Sequence, residues 1–304
     1  MEAEIVNPAT ELPPMAPAPP SVPPPGGPTR PSPMPGSCPT CTGGLPPGPP
    51  SYVYALGRIE ARFPRLSVEK EFAQVLGRGE TKGKTDTETF HAVLSKSENR
   101  YLARQLCWVM TIEGLETYIL TTRASMDIDL LVDSLRASPD RMDVDVIIGV
   151  KGPVAPSDVC NGLMLPIVAC DQIYSFDRDT LLKAIPRPKG TTDDEFGKTT
   201  RDVFEQILQA ADNAGATDEH RALNYAAVRF PGFYSKTFEK FAAGFGLTAI
   251  NVRPSRLATT RKIVDVVFSY TNRQTWVTEQ WFARFDVTEE FPFLVSPLAQ
   301  YFER

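Results

Sequence analysis

The sequence has little cysteine and almost no histidine: five and two residues in a chain of 304. Five cysteines in so long a chain do not make a disulfide scaffold. That scarcity reads as a cytoplasmic, reducing environment with thiols free or metal-bound. No apolar run approaches the roughly 20 residues that a bilayer-spanning helix needs. The first residues carry Glu2 and Glu4 and then proline, which suits neither a signal peptide nor a transit peptide. There is no excess of positive charge. The net charge of -5 argues against a general nucleic-acid binder, which only a local basic cluster would rescue. Walker-type and GxGxxG loops are absent, and with them the usual nucleotide cradles. Also missing is the setting of a serine-peptidase triad. Neither His91 nor His220 stands in a His-Gly context, and no small-residue turn presents a serine.

Proline is what the chain has in excess, and it is unevenly placed. Of 29 prolines, 18 fall in the first 50 residues, where aromatics are few. Such a segment cannot bury enough apolar surface to order itself, so residues 1–50 read as a disordered, proline-rich linker. The remaining 250 or so residues are enough for a sizeable core. They read as one α+β domain in two parts, 51–190 and 191–304, with a mixed or antiparallel sheet and packed helices.

Patterning supports that class. Tyr52–Phe63 reads as a strand. Ser67 reads as the cap of a helix carrying Val68, Phe72, Val75 and Leu76, and a second helix starts near Asp86. Tyr101–Ile112 and Leu115–Thr122 flank Glu113-Gly114 as a hairpin. A short helix follows Asp127, Val144–Val150 and Leu165–Phe176 read as strands, and Asp177 reads as the cap of a further helix. Val203, Ile207 and Ala211 recur at helical spacing up to Gly215. Thr217 opens the next helix. Tyr234, Phe238, Phe241 and Phe245 form another amphipathic stripe. The alternation of Val264, Val266, Phe268 and Tyr270, a turn at Asn272-Arg273, and Trp281, Ala283, Phe285 and Val287 predict a closing β-hairpin.

Three constellations could carry chemistry. Cys38-Pro39-Thr40-Cys41 has the spacing of half a structural zinc knuckle, with Cys107 and Cys160 as candidates for the remaining ligands. Free thiols in a linker and a CxxC redox pair are the alternatives. His220 and Arg221, in Asp218-Glu219-His220-Arg221, open a helix; His220 suits acid–base work if a carboxylate orients it, and the alternative is a capped, docked helix. Arg253 and Arg256, with Arg261 and Lys262, could grip a peptide carboxylate or another anion, or form internal ion pairs with Asp265, Asp286, Glu289 and Glu290. No catalytic residue is assigned.

Several long runs bear on function. They are SYVYALGRIEARFPRLSVEKEFAQ (51–74), YLARQLCWVMTIEGLETYIL (101–120), FDRDTLLKAIPRP (176–188), DNAGATDEHRALNYAAVRFP (212–231), RPSRLATT (253–260), KIVDVVFSYTNRQT (262–275) and FDVTEEFPFLV (285–295). Together they resemble the C-terminal domain of cyanobactin maturation proteases of the PatG type. The resemblance implies association with a subtilisin-like macrocyclase, a precursor peptide and sibling tailoring enzymes, with any peptidase activity residing in another domain. The expected role is a non-catalytic accessory or recognition domain, without nucleic-acid or membrane partners. The alternatives are an oligomerisation module, as in a homodimer, and an enzyme centred on His220. The composition also predicts that limited proteolysis trims residues 1–35 quickly and leaves a core starting between Gly36 and Tyr52; a protease-resistant N-terminus would contradict it.

Overall fold

The computed structural model describes residues 50–77, 83–139, 143–176, 192–208, 213–257 and 260–302. The linker expected over 1–50, apart from its last residue, lies outside them, as do the CPTC segment and the helix expected after Asp177. Within the described residues the fold is α+β, with one mixed and one antiparallel sheet.

Five strands close a barrel: β1 (Ser51–Arg62), β2 (Cys107–Ile112), β3 (Leu115–Thr122), β4 (Val144–Val154) and β5 (Pro166–Phe176). Their order is β1-β2-β3-β5-β4, returning to β1, as in barrels of the OB type. Every pairing is antiparallel except β3 with β5. β1 is buried on both faces and shows it by strict alternation. Val53, Ala55, Ile59 and Ala61 join the barrel's inner core with Trp108, Met110, Tyr118 and Leu120. Tyr54 and Leu56 belong instead to a second core outside the barrel wall. Period-two geometry makes one strand the wall of two interiors.

Helices α1 (Leu66–Leu76), α2 (Asp86–Leu94), α3 (Arg100–Gln105) and α4 (Ile128–Ser134) supply Val68, Phe72, Val93, Leu94, Leu102 and Leu131 to the inner core. α2 starts with a capping box in which Glu88 accepts from the Thr85 N–H at 2.7 Å. Two local expectations are corrected. α1 begins at Leu66, so Ser67 lies inside it and Arg65 is the N-cap residue. Tyr101–Gln105 is helical rather than extended; the Trp108 indole reaches back to the Ala103 carbonyl at 3.0 Å, and β2 starts only at Cys107. The outer face of β2 and β3 carries Cys107, Val109 and Ile119, which pack with Ala155, Cys160 and Leu165 of the β4–β5 connection.

The C-terminal part holds α5 (Asp193–Leu208), α6 (Asp218–Arg229), α7 (Pro231–Ala242), β6 (Phe245–Pro254), β7 (Ile263–Asn272), β8 (Thr278–Asp286) and β9 (Phe293–Tyr301). The strands form one antiparallel sheet in sequence order. Thr217 caps α6, accepting from the His220 N–H at 3.1 Å, and Pro231 opens α7 in its first turn. α6 touches β1 on one side and β6 and β7 on the other. The second core fills these layers: Tyr54, Leu56 and Val146 from the barrel wall, Leu223 and Phe233 from the helices, and Val266, Phe268, Ala283 and Phe285 from the sheet. Phe245, expected on a helical stripe, instead starts β6. The expected hairpin is β7–β8, flanked by two further strands. β9 is an edge strand with register shifts at two places and Pro297 within it.

α6 is joined to β1 by hydrogen bonds. The Tyr54 N–H donates to the Gly215 carbonyl at 2.9 Å, and Asn224 Nδ2 donates to the Tyr54 carbonyl at 2.8 Å. The Tyr118 hydroxyl donates to the Ala214 carbonyl at 2.7 Å. Gly215 has a φ of 72°, in the left-handed region, and an added Cβ would stand 2.3 Å from the Tyr54 oxygen. Gly215→Ala should therefore cost roughly 2–4 kcal/mol through combined strain and separation of α6 from β1. The urea midpoint measures this, and a change below about 1 kcal/mol would contradict the joint's importance.

Candidate functional site

β1 changes partners in its middle. Residues up to Gly57 pair with β4, and those from Arg58 onward pair with β2. The crossing is tight: a Cβ on Gly57 would lie 2.4 Å from the Thr111 carbonyl oxygen. Beyond the crossing the Ile59 N–H no longer faces β4 backbone, and the Asp145 carboxylate accepts it at 2.7 Å. Ser175 donates to the other oxygen at 2.5 Å. Burial raises the Asp145 pKa to about 6 against these two hydrogen bonds.

Where β2 and β4 part, a cavity of about 380 Å³ opens. One wall is the β2–β3 turn, whose Glu113 and Gly114 both have positive φ, 51° and 81°, as a two-residue hairpin turn requires. Leu56, Ile112 and Val144 give aliphatic surface, while Thr111, Asn213 and Asn224 give polar groups. Thr111 is 8% and Asn213 7% exposed. Thr111 Oγ1 and Asn213 Oδ1 are buried without a hydrogen-bond partner among the described residues.

A relay fixes the direction of the Asn213 amide. The Tyr54 carbonyl can only accept, so Asn224 must present Nδ2 to it. Asn224 Oδ1 then faces Asn213, which donates its own Nδ2 at 2.6 Å. Asn213 Oδ1 is left as a buried acceptor without a partner among the described residues, on a residue that lines the cavity. A larger groove of about 680 Å³ lies beside Phe63, Phe72 and Phe90, but its walls hold none of the buried partnerless polar atoms.

Comparison with known proteins places this architecture. A family model described as "PatG Domain" matches residues 52–236, and one described as "PatG C-terminal" matches residues 190–301. The chain belongs to the PatG domain family. A solved structure described as "PatG Domain of Unknown Function" superposes with a TM-score of 0.67 at 18% identity, covering 83% of this chain and 98% of the other. That likeness supports the fold. No curated protein matches the chain in sequence.

In this PatG-type domain the residues singled out from sequence are scattered. Arg221 is 2% exposed and turns inward. Its guanidinium donates to the Val287 carbonyl at 2.8 Å and the Glu290 carbonyl at 3.1 Å, and also to that of Glu289. Burial lowers its pKa against the pull of Asp218. Arg221 thus ties α6 to the β8–β9 connection. His220 precedes it on α6 and is not a wall of the Gly57 cavity. Asp218, the carboxylate two residues earlier, meets Lys262 at 3.1 Å and Arg221 at 3.4 Å. Arg253 lies over the Tyr301 ring at 4.4 Å, and Arg256 is exposed beyond β6. Arg261 pairs with the buried Asp286 at 2.6 Å, so internal ion pairing accounts for Arg261 and Lys262.

The cysteine reading is corrected in part. Cys107 and Cys160 are bonded to each other, Cα atoms 5.7 Å apart, against the expectation of thiols that are free or metal-bound. A disulfide offers no thiolate, so this pair does not fit as zinc ligands. Cys38 and Cys41 lie outside the described residues. Cys170 is a free thiol on β5, its pKa pushed to about 12 by burial first and then by nearby carboxylates. Residue-type motifs pointed to none of Thr111, Asn213 and Gly57. The usable signal was DNAGAT, where a glycine needing positive φ follows an asparagine just before a helix.

Asp145 gives a pH prediction. Its folded-state pKa lies above the ordinary value of 3.8, at about 6. The native state therefore holds the proton more tightly, and stability falls as pH rises from about 4 to about 6. The full effect is roughly 3 kcal/mol and is present above that window. Asp145→Asn should remove this slope. Urea midpoints taken across the window test it, and an unchanged slope would contradict it.

Proposed function

We propose that this PatG-type domain is a non-catalytic recognition module that holds peptide for neighbouring enzymes of cyanobactin maturation. The supporting observation is the character of the Gly57 cavity. Its walls offer a hydroxyl, an amide and aliphatic surface beside the charged Arg58, Glu60, Glu113 and Asp143, and neither an imidazole nor a thiol. Such a site can position a ligand but lacks the imidazole-based pair with which serine and cysteine peptidases cleave amides. The proline-rich composition of residues 1–50 suits a tether, which raises the local concentration of peptide near a partner enzyme. On this reading the partners are a precursor peptide and sibling maturation enzymes.

A second reading, an oligomerisation module, draws on Phe293, Leu294 and Val295, which expose apolar side chains along β9. Light scattering of the purified chain separates the two, since clustering predicts a mass of two or more chains without peptide.

Incubating the protein with a synthetic library of linear octapeptides should leave every mass unchanged while immobilised protein retains a subset. Retention without cleavage supports the proposal. Cleavage that scales with protein and disappears in His220→Ala would overturn it in favour of an enzyme.

A further inference from the structure

Two buried polar atoms without partners at one cavity call for an explanation, because buried polar groups are almost always hydrogen-bonded. Asn213 Oδ1 can only accept, and turning the amide round would break a hydrogen bond of the Asn224–Tyr54 relay and set two acceptor oxygens face to face. Thr111 Oγ1 can donate. The cavity therefore needs a group that supplies an N–H or O–H to Asn213 and an acceptor to Thr111. Leu56, Ile112 and Val144 leave aliphatic surface beside these polar atoms.

We infer that the Gly57 cavity is a binding site for a neutral amide carrying an aliphatic substituent, such as a peptide bond next to a leucine-like side chain. An amide presents both an N–H and a carbonyl, the complement of an acceptor and a hydroxyl on two residues lining one cavity. A carboxylate supplies no donor for Asn213, and at the walls Glu60, Glu113 and Asp143 outnumber the cation Arg58, which disfavours an anion. An ammonium leaves the Thr111 hydroxyl proton without an acceptor. The size also fits: about 380 Å³ is at the small end of ligand pockets and suits one residue rather than a folded partner. Specificity arises because a ligand lacking the N–H would bury Asn213 Oδ1 against a second acceptor, and an unmet buried group weakens binding by about tenfold or more.

The relay makes the site a product of the whole fold. Thr111 belongs to the barrel, Asn213 to the segment before α6, and Tyr54 to β1. Binding should therefore require α6 to be docked. As a peptide site it rests on the recognition reading, and the experiment separates the two.

The full chain, labelled with nitrogen-15, is titrated with N-methylisovaleramide and, separately, with methyl isovalerate, an ester of the same shape that lacks the N–H. The amide should shift backbone signals of Gly57, Ile112 and Gly114, and the ester should bind about tenfold more weakly or not at all. Thr111→Val, which keeps the β-branched shape, should weaken the amide about tenfold while leaving the rest of the spectrum in place. Val144→Phe, which fills the cavity, should abolish the shifts. Equal response to amide and ester, shifts confined to other residues, an unaffected Thr111→Val, or no response beyond bound water would each overturn the inference. Octapeptide retention that persists under any of these outcomes would keep the recognition reading and move its site. Loss of octapeptide retention alongside an intact amide response would remove the reading and leave the cavity's chemistry standing.

Discussion

The structure depends on the hydrogen-bonded joint between α6 and β1. Asn224 is fully buried, and its amide answers the Tyr54 carbonyl on one side and Asn213 on the other. Tyr54 in turn gives its N–H to Gly215. Backbone groups on β1 that would otherwise be buried without partners are satisfied by one asparagine and one glycine-permitted turn. With α6 held there, a single helical layer serves both the barrel wall and the C-terminal sheet. Release of the joint would expose the apolar faces of Tyr54 and Leu56 together with those of Ala226 and Ala227.

Charge is arranged around that layer to hold loops rather than to present a patch. Arg221 meets the main-chain carbonyls that follow β8, which supplies donors where the chain leaves the sheet. Asp286 lies 1% exposed opposite Arg261, and Arg284 meets Asp265 across the sheet at 3.1 Å. Lys240 joins α7 to Glu279 of β8 at 2.5 Å. Glu290 is raised to about 7, mainly by burial and then by the facing Asp171 of β5, so the contact between barrel and sheet includes a carboxyl pair that is easier to accommodate when protonated. Basic residues that looked available for an anion are mostly matched within the fold.

Much of the fold was legible in the chain because it rests on local signals. The Glu113-Gly114 turn, the Thr217 cap, the aromatic and aliphatic run of β1, and the alternation in β7 and β8 are all short-range. Closure of the barrel was not legible. It depends on the parallel pairing of β3 with β5, where Ile119 meets Ile167, and no periodicity reports a contact so remote. β6 and β9 escaped because edge strands bury neither face fully and show little alternation. The Gly57 cavity was hidden for a related reason. Thr111 reads as an ordinary strand threonine and Asn213 as a turn residue until the barrel and α6 bring them to one place. His220 and Arg221 drew attention by residue type, while Arg221 proved to have a structural duty.

β1 has no solvent-facing side from Val53 to Leu56. Odd positions from Val53 point into the barrel and even positions from Tyr54 into the layer beneath α6. The usual freedom of a surface strand, where every second residue drifts with little effect, is therefore denied to it. A substitution of either parity disturbs one interior, and a one-residue slip would exchange Val53 for Tyr54 and spoil both. The chain cannot vary its first strand to suit one half without consulting the other, which makes the segments before and after residue 190 a single unit of inheritance.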